Sequence, residues 1–419
     1  MSEHHDIHLD PAERIALDGG MRRTPMAGAI TGVLMLAVAA GLASVGGEGG
    51  WTRLGYAYIT AFAFYLSLSL GGLFFALITH VAHTGSTVVV RRIGEIVAAN
   101  MWILAAMVVP IIVAAWGGHL YEWAHAPADD VVLAGKAMYL NLPFFTVRWV
   151  IYFAVWIGLS GFYLRTSRRQ DVTGDAALTL VMQKWSPPGL ILLAFTLTFA
   201  SFDLLQSLSP HWFSTMFGVY YFAGCVVGFY AAQTLLIRWM QSKGIATSAI
   251  HAHHYHDSGK MMFAFVVFWA YIAYSQYMLI WYANLPEETV WYIAHGASTR
   301  AADVNVWSYV LLALLFGHFV LPFLGMITRS AKRKRSLLCA WAVWLLAMHY
   351  LDLLWVTRPM LAEHTHVLPI TGIEVVQWIA CLLGMGGLYV AGLARLAGDK
   401  PLIPVNDPRL GESLAFENI

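Results

Sequence analysis

The chain has 419 residues, of which 59% are hydrophobic and only 12% charged, and its formal net charge is +1. This composition lies outside the range of soluble globular domains and makes lipid the solvent for most of the chain. So balanced a charge offers no basic face for nucleic acid and no acidic tail.

Residues 1–25 are polar and mixed in charge, with no cleavable signal pattern before the first apolar stretch, so insertion is expected to begin with a retained helix. A transmembrane helix needs about 20 mostly apolar residues, because each rises about 1.5 Å through a layer about 30 Å thick. Ten stretches meet that test: 26–45, 56–80, 95–116, 142–164, 189–208, 214–239, 261–283, 307–328, 337–356 and 372–396. The expected fold is an all-α polytopic membrane protein of about ten spans, with residues 397–419 as a polar C-terminal tail.

Charged side chains cost at least about 2.5 to 3.5 kcal/mol within hydrocarbon, so those that persist there mark pairs, water-filled pockets or function. In chain order, His80 and His83 close the second span, and Arg148 lies about 9 Å into the fourth. Asp203 sits in the fifth span on a small polar stripe with Thr196, Ala200 and Ser207. HAHHYHDSGK (251–260) opens the seventh, where His256, Asp257 and Lys260 could form an inner mouth for protons. Its four histidines in six residues invite a metal reading, but no matching Cys or carboxylate spacing occurs elsewhere, so a solvated loop or docking contact is expected. Gln276 lies in the seventh span and His318 near the middle of the eighth. His349 and Asp352 stand three residues apart in the ninth and share a face, with Arg358 at that helix's end and Glu374 and Gln377 in the tenth.

Orientation follows from Lys and Arg, which cytoplasmic loops retain. The even-numbered loops hold fourteen, against four (Arg53, Lys136, Arg300 and Arg358) in the odd-numbered ones; three at each terminus bring the inner total to twenty. Both termini are therefore expected in the cytoplasm, and Trp123, Trp281, Tyr282, Trp291 and Tyr292 fit an outer interfacial belt. By this topology Asp203, Asp352, His349, Arg148, Arg358 and Glu374 all belong to the outer half of the membrane. Their shared depth suggests a pocket or relay, with carboxylates and His carrying protons and Arg acting electrostatically. The plainer alternative is a set of buried pairs that orient helices, such as Asp352 with Arg358 or Asp203 with Arg148. FDLLQS (202–207) and LDLLWV (351–356), with RTSRR and TRSAKR ending the fourth and eighth spans, also suggest a repeat relating spans two to five and six to nine.

Cys225, Cys339 and Cys381 each stand alone in an apolar run, a pattern that supports no disulfide, zinc site or Fe–S ligation. Only His318 and His349 lie deep enough for haem, too few for a two-haem arrangement, and no phosphate loop or nucleophile motif appears. Redox chemistry near this chain is expected to belong to partners.

The segments 202–224 (FDLLQSLSPHWFSTMFGVYYFAG), 256–292, 349–360 (HYLDLLWVTRPM) and 404–418 (PVNDPRLGESLAFEN) resemble the ActF-type membrane subunit of bacterial alternative complex III, within the NrfD/PsrC-like family. The likeness runs from the second span to the C-terminus. It implies two four-helix bundles, about 56–208 and 214–356, plus flanking helices in the bacterial inner membrane. It further implies a complex that oxidises menaquinol or ubiquinol and passes electrons through Fe–S clusters to c-type haems, then to cytochrome c or a terminal oxidase. The implied partners are a paralogous ActC-type membrane subunit, an iron–sulfur subunit capping the outer face, multihaem and monohaem cytochrome c subunits, small membrane subunits and lipids. On that reading Asp203, His349 and Asp352 are proton acceptors or relays. Arg148, His318, Arg358, Glu374 and Gln276 then bind quinol or act electrostatically. Two other functions compete: a structural anchor, with quinol oxidised in the paralogue, and a secondary transporter of ions or small solutes. The transporter lacks matching Gly/Pro-broken short helices.

Overall fold

Ten helices long and apolar enough to cross a membrane dominate the computed structural model: α1 (Pro25–Val45), α2 (Gly50–Val81), α3 (Val88–Trp116), α4 (Leu142–Thr173), α5 (Ala177–Leu208), α6 (Phe217–Ser242), α7 (Ala252–Ala283), α8 (Val306–Met326), α9 (Arg335–Leu361) and α10 (Gly372–Ala397). The structure describes residues 9–10, 12–17, 24–47, 49–125, 129–298, 303–365 and 370–418, and among them there is no strand. Arg22, Arg23 and Arg300 of the charge count lie outside the described residues.

Every expected span is a helix, but several run well past the apolar stretch. Helices α2, α4, α5 and α7 each have 32 residues, about 48 Å at 1.5 Å per residue against about 30 Å of hydrocarbon. Hydropathy marks the edge of the lipid, whereas a helix continues until its backbone is capped. In α4 it continues through Arg165, Arg168 and Arg169 to Gly174, where a φ of 66° lets the glycine N–H close on the Gln170 carbonyl at 2.8 Å. The HAHHYHDSGK histidines, expected in a loop, instead form the first turns of α7, capped by His251 and His254.

Helices α2 and α6 form the spine, being the most buried spans. Helix α2 packs on α3, α5, α6, α9 and α10, while α6 packs on α2, α5, α7 and α9. Helix α8 packs instead on α7 and α9. Glycine permits the contact between the two spines: a Cβ on Gly71 would stand 2.2 Å from the Cys225 carbonyl oxygen. Helices α1 and α10 flank this core as a pair. Gly28 and Gly32 face Gly384 and Gly387, so close that a Cβ on Gly387 would meet the Gly28 carbonyl at 2.6 Å.

Two local departures from α geometry matter for the site. Helix α3 is interrupted at Asn100, whose amide donates to the Tyr389 carbonyl of α10 at 3.0 Å, and Gly392 leaves room for it. Residues Leu315–Val320 of α8 are π-helical, and His318 sits within them; such segments are frequent at functional sites.

The loops that join even-numbered helices to the following odd-numbered ones gather with both terminal segments at the basic end of the bundle. There the tail folds back over the helix ends. Asp407 pairs with Arg91 at 2.8 Å, Ser413 accepts the Val89 N–H at 3.2 Å, and the Val405 N–H donates to Asp171 at 3.0 Å. The Ser413 carbonyl meets His254 Nε2 at 3.1 Å, and the Asn418 N–H donates to His253 Nδ1 at 2.8 Å. The surface that His253 and His254 contact is the chain's own tail.

Candidate functional site

Three buried polar clusters hold the intramembrane residues. The first joins α4 and α5. Arg148 clasps Asp203 through both guanidinium edges, Nε to Oδ2 at 2.7 Å and Nη2 to Oδ1 at 2.9 Å. The Tyr152 hydroxyl donates to the same carboxylate at 2.8 Å, and Arg148 Nη1 to the Tyr139 carbonyl at 2.8 Å. The guanidinium also lies over the Tyr139 ring at 3.9 Å and near the Phe144 ring at 4.4 Å. Charge, hydrogen bonds and geometry are all satisfied, as a buried ion pair requires. Beside it a pocket of about 440 Å³, lined by Tyr139, Ser207, Gln206, Lys136 and Phe213, opens at the odd-loop end. Burial holds the Lys136 ammonium below its ordinary range, and Asp130 only partly offsets this; its Nζ donates to the Pro210 carbonyl at 2.6 Å.

The second cluster lies among α6, α7, α8 and α9. Asp352 of α9 is 2% exposed, accepts from the Tyr220 hydroxyl of α6 and takes the Trp269 Nε1 hydrogen bond from α7 at 3.2 Å. No Lys, Arg or His pairs with it among the described residues. The His318 imidazole stacks on the same indole at 4.0 Å, and neither of its ring nitrogens has a hydrogen-bond partner among the described residues. One turn from Asp352, His349 Nε2 meets the Ser67 hydroxyl of α2 at 2.8 Å while Nδ1 is unpartnered. Glycines make room for this ring: a Cβ on Gly224 would be 2.7 Å from His349 Cε1. Buried polar atoms rarely go unpartnered, because each costs about 1–3 kcal/mol. Three such nitrogens belong to the same cluster as a carboxylate with no ion-pair partner among the described residues.

The third cluster joins α9 and α10. Arg358 and Glu374 make a two-pronged ion pair, with Nη2 to Oε2 at 3.1 Å and a second bond through Nε. The suggested pairing of Asp352 with Arg358 is thus replaced by Arg358 with Glu374, because α10 presents its acid in its first turn, where the Thr371 hydroxyl oxygen also accepts the Glu374 N–H at 3.2 Å. Gln377 lies one turn further on, buried. Of the suggested pairs, only Arg148 with Asp203 is formed.

Comparison with family models and with curated proteins finds no match to this chain.

Asp203, His349 and Asp352, expected together, therefore fall in two places. His349 and Asp352 share the second cluster with His318, and Asp203 belongs to the first. Gln276 bridges Ser214, at 2.9 Å, and Tyr292, at 3.0 Å, near the odd-loop end. At the basic end His256 is buried, Asp257 and Lys260 pair at 2.8 Å, and Lys260 also reaches Asn418 at 3.2 Å. Asp257 lines a narrow void of about 20 Å³ with Tyr230, Gln233 and His254.

Sequence reasoning missed Tyr220 and Trp269, which look like ordinary core aromatics. The available signal was Tyr220, Gly224 and Gly228, at four-residue spacing on one face of α6. It missed His295 as well, which stacks on Trp291 at 3.6 Å with Nδ1 2.6 Å from the Trp291 carbonyl and Nε2 3.2 Å from the Val356 carbonyl. Burial lowers the His295 pKa to about 4, against the pull of both carbonyls. Because the folded state binds the proton more weakly than the unfolded chain, stability from this group is full above about pH 6.5 and is lost as pH falls towards 4. Melting curves between pH 7 and 4 should show a loss of about 3 kcal/mol that is absent in His295→Gln; equal pH dependence of the two proteins would refute it.

Proposed function

We propose that this chain is a membrane subunit of a respiratory quinol:cytochrome c or quinol:oxidase oxidoreductase in a bacterial inner membrane, and that its second cluster transfers protons released by quinol. Quinol oxidation yields a quinone, two protons and two electrons, and the electrons go to Fe–S clusters and c-type haems of partner subunits. What remains for this chain is to hold the headgroup and give the protons a polar route. One observation carries the reading: Asp352 is a buried carboxylate with no cation paired to it among the described residues, one turn from His349 and bonded to the indole on which His318 stacks. Asp203, by contrast, is held by Arg148 through both guanidinium edges.

The pocket of about 440 Å³ beside Tyr139 falls within the size range of sites for organic ligands and would admit a quinol headgroup. Both termini then face the cytoplasm, in keeping with the excess of Lys and Arg at that end. An ActC-type membrane subunit, an iron–sulfur subunit, cytochrome c subunits and small membrane subunits complete the complex on this reading.

The test is Asp352→Asn in the intact complex. Quinol oxidation is expected to fall at least ten-fold while the same chains still co-purify and the partner haems remain reducible by dithionite. Full turnover in an assembled Asp352→Asn complex would overturn the proposal.

A further inference from the structure

At the basic end a cavity of about 470 Å³ lies between α3, α6 and α10, with Leu17 and Leu402 on its border. Its walls are almost wholly apolar, supplied by side chains such as Ile96, Leu236 and Ala394. Trp239 and Val390 line it and are 40% and 48% exposed, so it opens on the outer surface of the helix bundle. Two charged residues reach its border. Asp399 is engaged in a contact of its own, whereas Arg395 makes no hydrogen bond or ion pair among the described residues.

An apolar chamber open to lipid, with an aromatic ring and an uncommitted guanidinium at the depth of the headgroups, is complementary to an amphiphile with a long tail and an anionic head. Tryptophan concentrates at that depth, and arginine recognises phosphate through paired donors. Basic recesses between transmembrane helices on the side richer in Lys and Arg are a recurrent setting for phospholipid headgroups. The volume also lies within the range of about 300–1,000 Å³ typical of built ligand sites. We propose that this cavity holds one acyl chain of a membrane phospholipid, with the lipid phosphate against Arg395. The lipid then acts as a fixed wedge between α10 and the α3–α6 pair. This site is separate from the Asp352 cluster and does not depend on the redox reading.

Native mass spectrometry of the detergent-purified protein, in whatever assembly it purifies, tests this directly. The wild-type protein is expected to retain one phospholipid per chain after extended detergent washing. Ala394→Trp and Leu236→Trp fill the cavity from different helices, and each should cut that occupancy at least ten-fold. Arg395→Gln, which leaves the cavity empty, should cut it several-fold. No retained lipid in the wild type, a retained quinone in its place, or equal retention by the wild type and a folded Trp variant would each overturn the proposal. Should either Trp variant fail to assemble, the other and Arg395→Gln still decide the matter.

Discussion

Replacing Arg148 with Met is expected to destabilise the protein by about 3–5 kcal/mol, the effect of leaving one partner of a buried ion pair uncompensated. The carboxylate of Asp203 is wholly buried and receives two of its three side-chain hydrogen bonds from that guanidinium. Without it, only the Tyr152 hydroxyl remains as a side-chain hydrogen-bond donor to the charge. The loss should appear as a lower melting temperature in detergent and faster proteolysis of the linker between α4 and α5. The double variant Arg148→Met with Asp203→Asn should recover most of the stability, since a neutral amide tolerates burial better than an orphaned charge. If the double variant is no more stable than Arg148→Met alone, the pair is not what joins these two helices.

The other large effect is expected at the crossing of α2 and α6. Gly71→Leu should prevent α2 and α6 from closing on each other, at a cost on the order of 3 kcal/mol or more. A Cβ at this position would lie 2.2 Å from the Cys225 carbonyl and 2.5 Å from the Phe229 Cβ. The nearest obstacle is backbone, so rotamer changes give no relief. Even Gly71→Ala should be clearly destabilising. Gly158→Ala on α4 is the matched control, since nothing lies within 4 Å of the added carbon there; it should be neutral or slightly stabilising, because alanine favours the helix. Size-exclusion profiles and melting curves of the two alanine variants would distinguish them, and similar behaviour would count against close approach at Gly71.

The ten spans were legible in the sequence because crossing hydrocarbon demands about 20 apolar residues in a row, a signal too long to arise by accident. The helix ends were not, since α4 and α7 continue through residues that hydropathy assigns to water. Arg148 with Asp203 could be named as a pair because each is nearly alone in its span and both lie near the same end. Asp352 gave a weaker signal. Its partners are a tyrosine and a tryptophan among many aromatics, and choosing Tyr220 over Tyr221 requires knowing which face of α6 turns towards α9. His318 was visible as an intramembrane histidine, but its environment depends on the π-helical register of Leu315–Val320, which shifts the face presented after that point. The Arg358 and Glu374 pair was hidden for another reason: a loop separates the two residues, and sequence distance says little about which helix end lies against which.

The docking of residues 401–418 also bears on the order of assembly. The ribosome makes this segment after all ten spans, yet it fastens onto Arg91 and Val89 at the start of α3, Asp171 near the end of α4 and His254 at the start of α7. Early helices must therefore wait in the membrane with their basic ends unlatched until residues 401–418 have been made. The segment works as a late-arriving clasp, and a bulky fusion placed directly after it would burden the step that locks that face shut.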